Sequence, residues 1–456
     1  MDYLYPLFLS NILKFNLIKK NDTIISAFSG GKDSVALILL LTKLQNDISF
    51  DLKAAYFNHK IRKDFNEEQA WVENFFNTIG INLIKGSKDI IQFSKKEKLN
   101  LENAASISRY DFLKKTAAKF SNSKIATGHS KSDLTETFFI KLFRGSGLQG
   151  LSGIYGMKDE KIIRPLLLFS KEEILAFLKR NGKSFYSDYS NKNEMFLRNR
   201  IRNTLIPVIK DIEPDIDGHI FKTVSIIQEE FDYFRNISKK ILSESLTINK
   251  ILPVYKIKDL HLSIKRHLIR EYIRILKGNL LNISFDHIDN IIKNLFTKKG
   301  ISVPGIDMHC HKGFLYPENI VIPDYNYEIK RPGAIELKEI NSKILIERTD
   351  TFIKPENNFT IILPEPLFNF PLIIRPAGKN DKYKKINSSV NQKVFEMIRS
   401  SGIPYKLRNL LPVLQDKQNR IIWSPGSPVS DSFKVINKSD KKYILLKFSA
   451  DYLEYS

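Results

Sequence analysis

Residues 24–34 read IISAFSGGKDS, an apolar run that breaks into two glycines, a lysine, an aspartate and a serine. The segment TIISAF (23–28) is apolar and β-branched enough for a buried strand, and SVALILLLTKLQ, which begins at Ser34, predicts a helix. Two glycines between a strand and a helix allow backbone N–H groups and the positive end of the helix dipole to point at one anion. The stretch therefore predicts a phosphate-binding loop.

The polar residues of this loop indicate what it binds. Asp33 is unexpected beside a phosphate, because two negative charges repel unless a divalent cation lies between them, so its presence predicts Mg²⁺. Ser26 stands where the first glycine of a Walker A motif belongs, so the loop is of another type. The alternative is a strand–helix turn without a ligand, with Asp33 or Ser34 as the N-cap. The predicted phosphate-binding residues are Ser29, Gly30, Gly31, Lys32, Asp33 and Ser34.

Strands and helices alternate from residue 23 to about residue 165. LKAAYFN (52–58), INLIKG (81–86) and KIATGH (124–129) resemble further buried strands, and amphipathic stretches separate them. Such alternation predicts an α/β fold with a doubly wound parallel sheet, covered by helices on both faces. Ligands of these sheets lie at the carboxyl ends of the strands, where the glycine-containing turns at 29–31 and 128–129 fall.

The rest of the chain predicts a helical middle region and a small α/β C-terminal domain. A Pro- and Asn-rich stretch near residues 350–366 indicates a linker. The predicted domains are an α/β domain with the phosphate loop at 1–213, a mainly helical domain that contacts substrate at 214–350, and a basic domain at 366–456.

The composition favours a polyanionic partner. The chain of 456 residues has 72 Lys and Arg against 50 Asp and Glu, a formal charge of +22. Residues 371–456 alone hold 16 basic and 7 acidic residues. Such an excess favours nucleic acid, although a merely solvated lysine-rich surface is the alternative. The single cysteine, Cys310, excludes an intramolecular disulfide framework and a multi-cysteine metal site. The longest early apolar run, VALILLL, is too short to span a bilayer, so no membrane association and a cytoplasmic location are expected.

The loop SGGKDS resembles the PP-loop of the N-type ATP pyrophosphatases, which split ATP into AMP and pyrophosphate. Within that superfamily, further motifs are similar to those of the tRNA(Ile)-lysidine synthetases, in order and through most of the chain. They are FNHKIR (57–62), LENAASISRYDFL (101–113), ATGHSKSDLTETFFIKLFRGSGLQGLSG (126–153), RPLL (164–167), RPAGKNDKY (375–383), GIPYKLRNLLPVL (402–414) and IIWSPG (421–426).

The resemblance implies a ligase that forms a carbon–nitrogen bond. Its substrates would be ATP with Mg²⁺, free L-lysine and an isoleucine tRNA whose first anticodon cytidine is unmodified. The cytosine carbonyl oxygen would attack the α-phosphate of ATP, and the lysine ε-amine would then displace AMP to give lysidine. The resemblance also implies a homodimer.

Four residues match the catalytic positions of the family: Asp33, Arg109, His129 and Asp133. The family usually has two aspartates where this chain has Ser132 and Asp133, and Ser132 is a candidate N-cap instead. His129 and Asp133 are four residues apart, which would place them on one face if the helix has begun by then. Holding Mg²⁺, positioning ATP and accepting a proton all remain open as their roles.

Basic residues near predicted turns are candidates for tRNA contact, since arginine forks suit phosphates and aromatic rings stack on bases. Tyr383 and Tyr405 are the accompanying aromatic residues. The alternatives are solvated surface charges and, for the arginines of FLRNRIRN, a structural clamp on Asp188. The predicted tRNA-binding residues are Arg200, Arg202, Lys384, Lys385 and Arg408.

Two other functions compete with lysidine formation. One is a different PP-loop enzyme that modifies tRNA; the thiolases among these rely on paired cysteines, which a chain with Cys310 alone lacks. The other is an RNA-binding protein with a vestigial ATP site. ATP turnover that depends on tRNA would distinguish an enzyme from a binding protein.

Overall fold

The structure, a computed structural model, describes residues 4–61, 65–186, 197–247, 249–297, 299–311, 313–367, 370–401, 403–435 and 442–450. It divides into two compact units, Met1–Asp232 and Tyr233–Ser456. The three-domain division proposed from the sequence stays a prediction. No described helix combines the length and the apolar character that a membrane span requires.

The first unit contains the predicted parallel sheet. Its strands are β1 (Thr23–Phe28), β2 (Asp51–Asn58), β3 (Asn82–Ser87), β4 (Ser123–Ala126), β5 (Met157–Lys158) and β6 (Ile162–Ile163). They are ordered β3-β2-β1-β4-β6-β5, and every neighbouring pair except β5 and β6 is parallel. The doubly wound α/β prediction is confirmed.

Helices cover both faces of this sheet. The helices that begin in the first unit are, in chain order, α1 (Leu4–Lys14), α2 (Lys32–Leu44), α3 (Phe65–Ile79), α4 (Ile90–Glu97), α5 (Leu101–Ala117), α6 (Lys131–Phe143), α7 (Leu148–Leu151), α8 (Lys171–Arg180), α9 (Leu197–Arg200), α10 (Ile206–Ile212) and α11 (Ile216–Ser245). Ile24 and Phe28 of β1 pack into one core with α1 and α2, whereas the neighbouring Ile25 packs with α5. Successive side chains of a strand point to opposite faces, so the apolar run of β1 buries both.

The strand order reverses between β1 and β4. From β1 the chain builds outward to β2 and β3 on one side, and then returns to place β4 on the other side. Ligands of open parallel sheets bind outside the carboxyl ends of strands at such a switch point. The turns that follow β1 and β4 are therefore where a ligand is expected.

The second unit begins with a helical part that packs on a small sheet. Its elements are β7 (Leu252–Pro253), α12 (Leu262–Lys277), α13 (Phe285–Asn294), β8 (Lys299–Val303), β9 (Ile306–His311) and β10 (Phe314–Pro317). Leu268 and Tyr272 of α12 and Ile288 of α13 are fully buried against this sheet. Cys310 is buried in the same core.

Two four-stranded antiparallel sheets share one core in the rest of the second unit. The elements are β11 (Tyr327–Ile329), β12 (Gly333–Leu337), β13 (Ser342–Thr349), β14 (Thr360–Pro364), β15 (Leu372–Pro376), β16 (Lys382–Lys384), β17 (Asn391–Lys393), α14 (Val394–Met397), β18 (Pro412–Gln415), β19 (Ile421–Trp423) and β20 (Tyr443–Ala450). β20 lies between β13 and β14. The linker prediction is therefore wrong for 360–364, because these apolar residues fill a sheet position.

Candidate active site

The loop after β1 is held in shape by its own residues. Gly30 has φ of +76°, and a Cβ atom there would lie 3.3 Å from the Cβ of Tyr186, so both conformation and space favour glycine. The Ser34 hydroxyl donates to the Gly31 carbonyl at 2.8 Å and accepts from the Ser29 N–H at 3.2 Å. Gly31 is the N-cap of α2, so the alternative in which Asp33 or Ser34 caps this helix is wrong. The helix start remains available for an anion.

Asp33 lies in the first turn of α2 with one carboxylate oxygen unsatisfied. Its Oδ1 is buried and has no hydrogen-bond partner among the described residues. Burial and, to a smaller extent, the negative charge of Asp133 raise the pKa of Asp33 to about 6, against the opposing effect of Lys171 and Lys32. A carboxylate that is costly to ionise and lacks a partner suits a bound cation.

These residues fit Mg²⁺ bound together with a nucleotide. The described residues include no group of three or more histidine, cysteine, aspartate or glutamate side chains arranged to hold a metal. Mg²⁺ commonly binds one or two carboxylates, substrate phosphates and water rather than a cage made only of protein. Asp33 is the residue that would hold it.

The turn after β4 packs directly against this loop. A Cβ atom on Gly128 would lie 3.1 Å from the carbonyl oxygen of Asp33, so the two turns touch at this glycine. Helix α6 begins at Lys131, after His129. The expectation that His129 and Asp133 share a helix face is therefore wrong, and His129 is positioned by the turn instead.

His129 is a neutral imidazole. Its Nδ1 lies 2.9 Å from the hydroxyl of Thr127. Burial lowers the pKa of His129 to about 4, and the positive charges of Arg164, Arg109 and Arg198 contribute, while Asp133 opposes them. At neutral pH this ring therefore carries no charge and can accept a hydrogen bond. Because Arg109 of α5 contributes to the lowered pKa of His129, these two side chains lie near each other.

Asp133 completes the N-terminal turn of α6. Its Oδ2 accepts from the N–H and the hydroxyl of Ser130, both at 2.9 Å, and Ser130 is the N-cap. Burial works to raise the pKa of Asp133, but Lys171, Arg198 and the Ser130 N–H lower it well below its usual range. The prediction that Ser132 caps this helix is wrong.

The hydroxyl of Ser132 forms a hydrogen bond with a residue of α11 instead. It donates to Asp217 Oδ2 at 3.1 Å, and the Thr135 hydroxyl donates to Oδ1 of the same carboxylate at 2.5 Å. Lys210 lies 3.1 Å from Asp217 Oδ2. The first turn of α6 is therefore anchored to α11 by a buried, paired carboxylate.

A cluster around Glu136, which the motif contains but to which sequence reasoning assigned no role, lies next to Asp133. The Glu136 side chain is 1% exposed and is bound by Lys171 at 2.6 Å, Arg198 at 2.8 Å and Arg202 at 2.6 Å. The same cations lie 3.4 to 3.7 Å from Asp133 Oδ1. We call these five residues the Glu136 cluster.

The cluster could be found only in part from the sequence. The ET of the quoted motif marks Glu136, but its partners lie 35, 62 and 66 positions away. Lys171 carries no local signal beyond following the capping residue Ser170. Arg202 lies in a π-helical turn, Ile201–Leu205, that joins α9 to α10.

The predicted tRNA-binding residues fall into two environments. Arg202 binds Glu136, whereas Arg200 is exposed, and Asp188 lies outside the described residues. In the second unit Lys384 is exposed, Lys385 is half-buried and Arg408 lies 5.8 Å from the ring of Tyr405, which is 72% exposed. The stacking prediction is wrong for Tyr383, which is buried with its hydroxyl bonded to Ser427 and Pro428.

A parallel sheet with a glycine loop and a partnerless aspartate at its switch point defines a PP-loop ATP-binding domain. The family model described as a PP-loop domain matches residues 5–209. The chain is 30% identical to the tRNA(Ile)-lysidine synthase of Persephonella marina, with 95% of this chain and 97% of that protein covered. It is 29% identical to the tRNA(Ile)-lysidine synthase of Clostridium tetani, with 97% and 98% covered. The chain belongs to the tRNA(Ile)-lysidine synthase family.

A solved structure is also similar over part of the chain. It is the U34-tRNA thiolase NcsA from Methanococcus maripaludis with its [4Fe-4S] cluster, at 17% identity and a TM-score of 0.44, covering 50% of this chain and 80% of that chain.

Proposed function

We propose that this enzyme uses ATP to join the ε-amine of free L-lysine to C2 of the first anticodon cytidine of an isoleucine tRNA. The products are lysidine in the tRNA, AMP and pyrophosphate. The observation that carries the proposal is the buried, partnerless Oδ1 of Asp33 beside the turn that bears His129, in a chain related to lysidine synthases along its whole length. We place the reaction in the cytoplasm and expect a homodimer.

In the first step the cytosine O2 attacks the α-phosphorus of ATP, and the bond to pyrophosphate breaks. The backbone N–H groups at the start of α2 and the Lys32 ammonium stabilise the charge that develops on the phosphate. Mg²⁺ held by Asp33, when bound, neutralises phosphate charge. Lys171 and Arg198 of the Glu136 cluster keep Asp133 ionised at the edge of this site.

In the second step the lysine ε-amine attacks C2, and the C2–O bond breaks, so AMP leaves with the former carbonyl oxygen. The free amine is normally protonated, with a pKa of about 10.4, and must lose its proton to attack. Nearby Arg109 and Arg198 favour this loss, because positive charges lower the pKa of an ammonium group. The proton can leave to water, and neutral His129 can accept a hydrogen bond from the resulting amine, whereas Asp133 Oδ2 is already bonded to the helix N-terminus.

The remaining basic side chains of the second unit suit the backbone of the tRNA. Lys384, Lys385 and Arg408 add positive charge, and exposed Tyr405 offers a ring for a base. We propose that these residues, with Arg200 in the first unit, contact the tRNA outside the reacting cytidine.

The test measures pyrophosphate release and attachment of radiolabelled lysine to unmodified isoleucine tRNA by the purified protein. Pyrophosphate release that requires the tRNA, together with labelled tRNA, supports the proposal. Asp33→Asn should abolish both signals, whereas Asp159→Asn, at an exposed turn of the same unit, should preserve them. Pyrophosphate without labelled tRNA would mean a different nucleophile, and neither signal with any tRNA would favour an RNA-binding protein.

A further inference from the structure

Arg164, the first residue of the RPLL motif, is a buried cation without a bonded anion. It follows β6 directly and is 8% exposed. Its Nη1 donates to the carbonyl of Tyr155 at 2.6 Å, while its Nε is buried and has no hydrogen-bond partner. Among the described residues no carboxylate is paired with it.

This arrangement is costly unless something else binds the guanidinium. A buried charge with one carbonyl partner loses most of its hydration, and a native protein normally pairs such a charge. Arg109 and Arg198 act on His129 together with Arg164, so this part of the site is rich in positive charge. Asp133 opposes them, but its carboxylate already bonds to Ser130 and lies beside the cations of the Glu136 cluster. The counter-charge is expected from a ligand.

The sheet places Arg164 at the same edge as the phosphate loop. The N–H of Thr127 donates to the carbonyl of Ile163 at 3.0 Å, which sets Arg164 beside the turn that contains Gly128 and His129. Gly128 in turn touches the backbone of Asp33. Among the described residues, the side chain of Arg164 forms no hydrogen bond with the phosphate loop or with the Glu136 cluster.

We propose that Arg164 binds a phosphate group of the substrates. A guanidinium presents a planar fork of donors that matches phosphate oxygens, and its unused Nε is the donor such a fork requires. The inference rests on the proposed function for the identity of the substrates. Two sources share this chemistry: the phosphates of ATP and the backbone phosphate next to the reacting cytidine. A lysine carboxylate is the competing ligand, and the experiment separates it.

Calorimetric titration of the full-length protein with each ligand in turn tests the proposal. The ligands are Mg²⁺-ATP, inorganic pyrophosphate, unmodified isoleucine tRNA and L-lysine. Arg164→Gln should weaken binding of ATP and pyrophosphate about tenfold or more if the nucleotide is the source, since a charge-assisted hydrogen bond is removed. If the tRNA is the source, its affinity and the salt dependence of its binding should fall instead. Arg164→Lys should restore part of either loss.

Arg180→Gln, an exposed arginine at the end of α8, is the matched control and should change none of these affinities. Thermal melting of each variant separates binding from folding. Unchanged affinities for ATP, pyrophosphate and tRNA in a folded Arg164→Gln protein would overturn the proposal, as would a loss confined to L-lysine. Should Arg164→Gln fail to fold, Arg164→Met, which keeps an aliphatic stem without the charge, takes its place, and unchanged affinities of that variant would overturn the proposal equally. Phosphate binding through Arg164 without lysidine formation would instead refute the proposed function and leave the subsite standing.

Discussion

Basic side chains are used in opposite ways in the two units. In the first unit Lys171, Arg198 and Arg202 turn inward and bind Glu136, which is almost completely buried. In the second unit Lys384 is exposed and Arg408 lies beside exposed Tyr405. A net positive charge therefore serves two purposes, because cations that surround a buried carboxylate shape a site and cations on the surface attract a polyanion.

The largest effect is expected for Asp33, a carboxylate of the first unit that lies outside the Glu136 cluster. Asp33→Asn keeps the shape of the side chain but removes the charge that would hold Mg²⁺, so the rate of tRNA-dependent pyrophosphate release should fall by about a thousandfold or more. Single-turnover measurements at saturating ATP check this. A variant that retains more than a tenth of the wild-type rate would contradict the assignment of Asp33 to the metal.

The same variant should be more stable than wild type without nucleotide and metal. The folded-state pKa of Asp33 is raised to about 6, above its ordinary value of 3.8, so ionising this group costs more in the folded protein than in the unfolded one. Wild type then loses stability as pH rises from about 4 to about 6, and Asp33→Asn does not. Melting temperatures measured in a chelator should diverge over this range and differ by a constant amount above it.

The Glu136 cluster is tested by removing its central charge. Glu136→Gln leaves Lys171, Arg198 and Arg202 with one carboxylate fewer, and breaking a buried ion pair on one side costs about 3–5 kcal/mol. Urea unfolding should show this loss, while Glu102→Gln, at an exposed position on α5, should show almost none. Equal stability of the two variants would mean that the cluster contributes nothing to the fold.

Arg202 and Arg200 form a matched pair two positions apart. Arg202→Gln should destabilise the protein by about 1.5–3 kcal/mol, since it removes hydrogen bonds to a buried carboxylate. Arg200→Gln should leave stability within about 0.5 kcal/mol, because its side chain is exposed. Denaturant midpoints compare the two. A loss of tRNA affinity in Arg200→Gln but not in Arg202→Gln would support the division into buried cations that stabilise the site and exposed cations that bind tRNA.

The smallest effect is expected for the surface cations of the second unit. Changing Lys384, Lys385 and Arg408 together to Gln should weaken tRNA binding, and the slope of log affinity against log salt should fall by up to about 0.7–0.9 for each phosphate that is no longer neutralised. Lys343→Gln, another exposed lysine of this unit, is the control. Filter binding over a range of salt concentrations measures both quantities. An unchanged slope would mean that the tRNA does not contact these three side chains.

Much of the first unit could be predicted because its signals are local. The strand at Thr23–Phe28 and the helix that follows it each depend on neighbouring residues, and both predictions are confirmed. The linker near 350–366 was predicted wrongly for 360–364 because β14 receives its hydrogen bonds from β20, which lies about 80 residues further along the chain.

Local patterns in the sequence were enough to predict the parallel sheet, the helix after Gly31 and the residues that carry the family motif. Glycine conformation, strand composition and helix capping act over a few residues, so they can be read in order along the chain. Three other features could not be predicted and are visible only in the folded chain: Arg202 binds Glu136, Ser132 bonds to Asp217, and Arg164 has no carboxylate partner among the described residues. Burial and charge pairing depend on which distant segments meet, and packing alone brings those segments together.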